Sequence, residues 1–221
     1  MPHSQDYFGP YFNKKGLKIP ARIISILFHP IFVTFGTAML IYWLQKPAYI
    51  SVQNAYPLWI GFLFLNLVMF PLVATLLMKA LGFISSITMK NPKDRIIPLI
   101  ATMIFYFWAY NVAKNISPEV PLYMRVYLLG SFWGIIMIFL INIFFKVSMH
   151  TTAIASTVGI LIMMILQLKI DILWIIIASI VLAGLVGTAR LILKEHLPFE
   201  LVLGYITGFL VQVGAYYFLI N

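Results

Sequence analysis

The chain has 221 residues, 62% of them hydrophobic and only 10% charged, with 15 Lys and Arg against 6 Asp and Glu and no cysteine. Soluble domains are about a quarter charged and about half apolar, so this composition excludes one. It also excludes a disulfide-stapled secreted scaffold and a cysteine-ligated metal site. With most of the mass destined for lipid, the formal charge of +9 is assigned to a membrane surface or an anionic lipid rather than to nucleic acid.

In chain order, residues 1–21 read as a polar, basic head carrying His3, Lys14, Lys15 and Lys18, with no cleavable signal pattern after it. Residues 22–221 read as one membrane domain. A bilayer crossing takes about 20 apolar residues, and seven such runs are expected at 22–44, 56–78, 96–112, 122–145, 150–168, 172–192 and 201–220. Their length and uniform hydropathy rule out barrel strands, and backbone polar groups in lipid must then be paired within helices. The expected fold is an all-α, polytopic transmembrane helical bundle of six to seven spans. His29 precedes Pro30 inside the first run, where a packing or kink role is the default. On the last run Gly204 and Gly208 form a small-residue pair suited to close packing inside the bundle, or to dimerisation.

Seven spans would put the head and the loops 79–95, 146–149 and 193–200 on one side. That side carries Lys14, Lys15, Lys18, Arg22, Lys79, Lys90, Lys93, Arg95, Lys146, Arg190 and Lys194, against Lys46, Lys114, Arg125 and Lys169 opposite. The positive-inside rule makes the richer side cytoplasmic, and a bacterial inner membrane is the expected location.

Three clusters on that side carry the sparse polar chemistry. In the stretch from Arg190 through Glu195, His196 and Pro198 to Glu200, Pro198 suits a first helical turn. His196 then stands just ahead of the helix and Glu200 inside its first turns. A carboxylate there accepts one ring N–H and leaves the other nitrogen nucleophilic, while Arg190 can face a phosphate oxygen. The alternative is interfacial snorkelling by Arg190, Lys194 and Glu195. The second cluster, Lys146 to Thr152, offers a helix start, the Ser148 hydroxyl and His150 as a proton donor; Ser148 and Thr151 would equally serve as caps. The third places Lys90, Lys93 and Arg95 before the third run, where they suit a phosphate, lipid headgroups or topology. Two histidines, a serine, several cations and one carboxylate on one face read as a phosphoryl-transfer site.

On these residues the sequence resembles the type 2 phosphatidic acid phosphatase superfamily of integral-membrane lipid phosphatases. Arg190, His196, Pro198, Glu200 and Gly204 match the register of that family's third motif, Ser148 and His150 its second, and Lys90 with Pro98 its first. The chain departs from it at Ile97 for arginine, Met149 for glycine, Ala189 for serine and Glu200 for aspartate. The resemblance implies a helical membrane enzyme that needs no cofactor or metal. It would hydrolyse a lipid phosphomonoester or pyrophosphate such as a polyprenyl pyrophosphate, phosphatidate or a lipid A type substrate. His196 would form a phosphohistidine, Glu200 would orient it, and His150 would be acid and then base. Lys90, Arg190 and Ser148, with Arg95 or Lys93 in place of the missing arginine, would hold the phosphate. A lipid-phosphate binding protein of the same fold without turnover is the alternative. A transporter is disfavoured, since the run interiors offer mainly Asn66, Asn111 and Asn142.

Overall fold

A computed structural model describes residues 15–45, 56–87, 89, 92–116 and 120–221. The helices are α1 (Lys15–Leu27), α2 (Pro30–Leu44), α3 (Tyr56–Phe64), α4 (Phe70–Ala80), α5 (Ile96–Asn115), α6 (Leu122–Phe144), α7 (Met149–Leu168), α8 (Leu173–Ile192) and α9 (Pro198–Ile220). The protein is an all-α transmembrane bundle. Among the described residues six helical stretches are long and apolar enough to cross a membrane, and the bent pair of α1 and α2 makes up to seven. Lys90, with His3, Lys14 and Lys46, lies outside the described residues.

The apolar runs become helices within a few residues of their expected ends, with one exception. The run 22–44 is not one straight span: α1 and α2 meet at 54°. Pro30 has no N–H for the carbonyl of Ile26, and the His29 N–H takes that carbonyl instead at 3.2 Å while His29 turns extended (ψ 140°). Helix α1 also starts inside the head and carries Arg22 across the 21/22 boundary. A second proline shapes the next span, where α3 and α4 join through one wide π turn, Leu65–Met69. Pro71 cannot donate to Leu67, and the Tyr106 hydroxyl of α5 donates to that carbonyl at 3.4 Å.

Helices α7 and α9 form the closest pair, because α9 has no side chain where they cross. A Cβ on Gly208 would stand 2.1 Å from the Thr152 carbonyl oxygen, and one on Gly204 would stand 2.2 Å from Thr151 Oγ1. Gly204 and Gly208 therefore pack inside the bundle. Hydroxyls of α7 fasten the contact: Thr151 donates to the Leu201 carbonyl at 3.2 Å and Ser156 to the Gly208 carbonyl at 3.1 Å. Around this pair Tyr127, Ile160, Leu161, Met164 and Ala215 fill the core. Phe144, Trp174 and Phe218 stand exposed on the outside, as lipid-facing side chains do.

Candidate functional site

The register of α7 against α9 decides which loop residues meet. Helix α8 ends in a paired reversal: the Lys194 N–H bonds the Leu191 carbonyl and the Glu195 N–H bonds the Arg190 carbonyl, with Lys194 left-handed at φ 55°. Three residues later Pro198 opens α9. Glu200 is the third residue of that helix, and its Oε2 accepts from the Leu197 N–H at 3.2 Å, half of a capping box. The same oxygen accepts from His196 Nδ1 at 2.7 Å. One carboxylate thus anchors the helix start and fixes the ring. His196 and Glu200 are buried, at 4% and 7% exposure. Burial, opposed by the Glu200 bond and reinforced by Lys146 and Arg190, pushes the His196 pKa down to about 4. At neutral pH the imidazole is uncharged, with its proton on Nδ1 and a lone pair on Nε2.

The turn before α7 docks on this corner through the Ser148 N–H, which donates to the Glu200 carbonyl at 3.3 Å. Ser148 is fully buried as the N-cap of α7, its hydroxyl accepting from the Thr151 N–H at 3.4 Å. The capping role is the one its geometry displays. Lys146, two residues earlier, donates to the Glu195 carbonyl at 2.6 Å, which brings its ammonium beside His196. Burial lowers its pKa, with Arg95, Glu200, Glu195 and Arg190 all within electrostatic reach.

His150 is the second residue of α7, buried, with Nε2 at 3.1 Å from the carbonyl and 3.4 Å from the hydroxyl of Ser25 on α1. Its ring meets that of His29 edge-on at 5.5 Å. Arg190 reaches the same serine: Nη1 donates to Ser25 Oγ at 2.7 Å, Nη2 stands 3.9 Å from Glu195 Oε2, and the buried Nε has no protein partner. Arg95 is buried too, but its Nε donates to the Met89 carbonyl at 3.0 Å and its Nη1 to the Val147 carbonyl at 3.1 Å. It braces the approach to α5 against the α7 turn as much as it supplies charge. Lys93 remains exposed on the short turn before α5.

Of the residues expected at a site, His150, Arg190, His196, Glu200, Ser148 and Arg95 come together, Lys93 stays at the surface, and Lys90 is not described. Sequence reasoning missed Ser25, His29, Lys146 and Glu195 as members. Lys146 was visible two residues before Ser148. Ser25 was not, since its partners are 125 and 165 positions away. Comparison with protein-family profiles, with curated proteins and with solved structures finds no match for this chain. The functional reading therefore stands on the residues themselves.

Proposed function

We propose that this membrane protein hydrolyses a phosphate ester or pyrophosphate bond of a lipid through a phosphohistidine at His196. The observation that carries the reading is the buried His196–Glu200 pair beside Arg190, a half-buried arginine whose buried Nε lacks a partner. A buried guanidinium N–H left unpaired is costly, and a phosphoryl oxygen is the acceptor that suits it. Neutral His196, held by Glu200, presents Nε2 to phosphorus. As the N–P bond forms, the P–O bond to the alcohol breaks, and the proton that the lipid phosphate brings as its monoanion passes through His150 to the leaving oxygen. Glu200 balances the positive charge that develops on the ring, while Arg190 and Lys146 stabilise the phosphoryl oxygens. Water then attacks phosphorus and gives its proton to His150. The N–P bond breaks, and phosphate leaves with His196 restored.

Ser25 stands where substrate must come, between Arg190 Nη1 and His150 Nε2. Phosphate entry therefore displaces its hydroxyl and loosens α1 from α8. The same occupancy favours a second reading, a lipid-phosphate receptor without turnover. Phosphate release from a lipid phosphate by purified protein, with chelator present, separates them. Release by the wild type, its loss by at least a thousandfold in His196→Ala, and a few-fold gain in kcat/KM for Ser25→Ala support hydrolysis. Equal release by wild type and His196→Ala removes it.

The cluster faces the cytoplasm in this proposal. Setting aside Arg95, Lys146 and Arg190 as site residues leaves eight cations on its side against four opposite. In this cysteine-free chain, single cysteines at exposed Lys194 and Lys169 report the faces. An impermeant thiol reagent on intact cells is expected to label Lys169→Cys and spare Lys194→Cys; the reverse pattern places the site outside.

A further inference from the structure

Next to the cluster a narrow cavity, with about 100 Å³ of room for the centre of a water molecule, runs between α2, α4, α5, α6 and α7. His29, Met89, Arg95 and Met149 line its end nearest the cluster, while Tyr106, Tyr127 and Ser131 line it deeper in the bundle. Along α5 its wall extends from Pro98 to Tyr106, roughly 12 Å at about 1.5 Å per residue. That is a little less than one leaflet of a hydrocarbon core about 30 Å thick.

The wall looks polar by composition and is apolar by hydrogen bonding. Three of its helices repeat one device, Pro-x-x-x-Thr, at Pro30/Thr34, Pro71/Thr75 and Pro98/Thr102, and all six residues face the cavity. In each pair the threonine hydroxyl donates back to the proline carbonyl, at 2.9, 2.8 and 2.8 Å. Thr152 likewise donates to the Ser148 carbonyl at 3.0 Å and Ser156 to the Gly208 carbonyl at 3.1 Å. The Tyr127 hydroxyl donates to the Thr34 carbonyl at 3.2 Å, and that of Tyr106 to the Leu67 carbonyl. With these protons engaged inside the protein, the wall offers a ligand methyls, ring faces and few donors. Water needs two to four polar partners to stay in such a space. An anion finds few donors until the end where Arg95 and His29 stand.

We propose that this cavity binds the proximal hydrocarbon chain, polyprenyl or acyl, of a lipid phosphate whose headgroup lies in the cluster beyond Arg95. The proposal rests on the phosphate-site reading for the placement of the headgroup, whereas the chain site is testable without turnover. The chain enters with its phosphate last, so the depth of the cavity sets how the scissile bond meets His196.

The experiment uses the full chain in nanodiscs and dodecyl phosphate carrying a diazirine near mid-chain, with crosslinks mapped by mass spectrometry. Labelling of α5 and α6 residues around Thr102 and Ser131, competed by dodecyl phosphate and not by dodecanol, is the expected result. Labelling confined to a separate open groove lined by Phe144, Phe145 and Phe199 on α6, its end and α9 overturns the proposal, as does equal competition by dodecanol, which marks a pocket for bulk lipid. Competition by farnesyl phosphate against dodecyl phosphate tells a polyprenyl site from an acyl one. In the second arm, Thr102→Phe fills the cavity and Thr102→Val is the control for the lost hydroxyl. Thr102→Phe raises KM for dodecyl phosphate at least tenfold and leaves hydrolysis of a short soluble phosphomonoester unchanged; equal loss on both substrates in a folded protein overturns the chain site. Crosslinking in the cavity with no phosphate release by the wild type keeps the chain site and removes the hydrolysis reading. If Thr102→Phe does not fold, the crosslink map of the wild type decides alone.

Discussion

His196 is held by two opposing influences: burial disfavours its charged form, and the Glu200 carboxylate at 2.7 Å favours it. Burial prevails, leaving a pKa of about 4 where an unfolded histidine has about 6.5. Between those values the unfolded chain binds a proton that the folded chain does not, so stability falls as pH drops from 6.5 towards 4 and is complete above 6.5. The loss is on the order of 3 kcal/mol. Thermal unfolding in detergent at pH 7.5 and pH 4.5 reads this, and His196→Gln is expected to flatten the pH dependence; an equal acid drop in both proteins assigns it elsewhere. The His196–Glu200 pair was legible because both residues sit within one turn of a proline that starts a helix. The competing roles of Ser148 and Arg95 were not. A serine before a helix reads alike as cap or ligand, and only the positions of Thr151, Met89 and Val147 show where the hydrogen bonds go.

Helix boundaries were legible for a related reason, since hydropathy and length alone define a crossing in lipid. The break between α1 and α2 was hidden because hydropathy averages over angles; it follows from the missing N–H of Pro30. The break matters to the site. It turns Ser25 onto Arg190 and His150, and it gives His29 a place at the edge of the cavity. The pairing of α7 with α9 was signalled by Gly204 and Gly208, though their partner helix was not. Gly208→Ala places a methyl against the Thr152 backbone, which cannot yield as a side chain would. The two helices must then part, and Ser148 and His150 shift away from His196 and Glu200. We expect a destabilisation of about 2–4 kcal/mol, with loss of phosphate release beyond the unfolded fraction. Unaltered unfolding and activity in Gly208→Ala would show that this crossing does not set the site.

Across the whole molecule the excess of positive charge is divided between two tasks. Lys18, Arg22 and Lys79 lie on the face of the bundle that holds the cluster, where they suit an anionic leaflet. Arg95, Lys146 and Arg190 are drawn inside, around two histidines and one carboxylate, and beside them lies a cavity whose hydroxyls bond inward. In the proposed reading these cations are the phosphate ligands and the cavity beneath them takes the chain, headgroup outward and chain inward. The most direct test of that account is to mix the protein with a lipid carrying ³²P at its reacting phosphate and quench in alkali within the first turnovers. Label that survives base, is released by acid and maps to the peptide containing His196 is the predicted result. Phosphate released by an active protein with no label on His196, or label carried equally by His196→Ala, would contradict it.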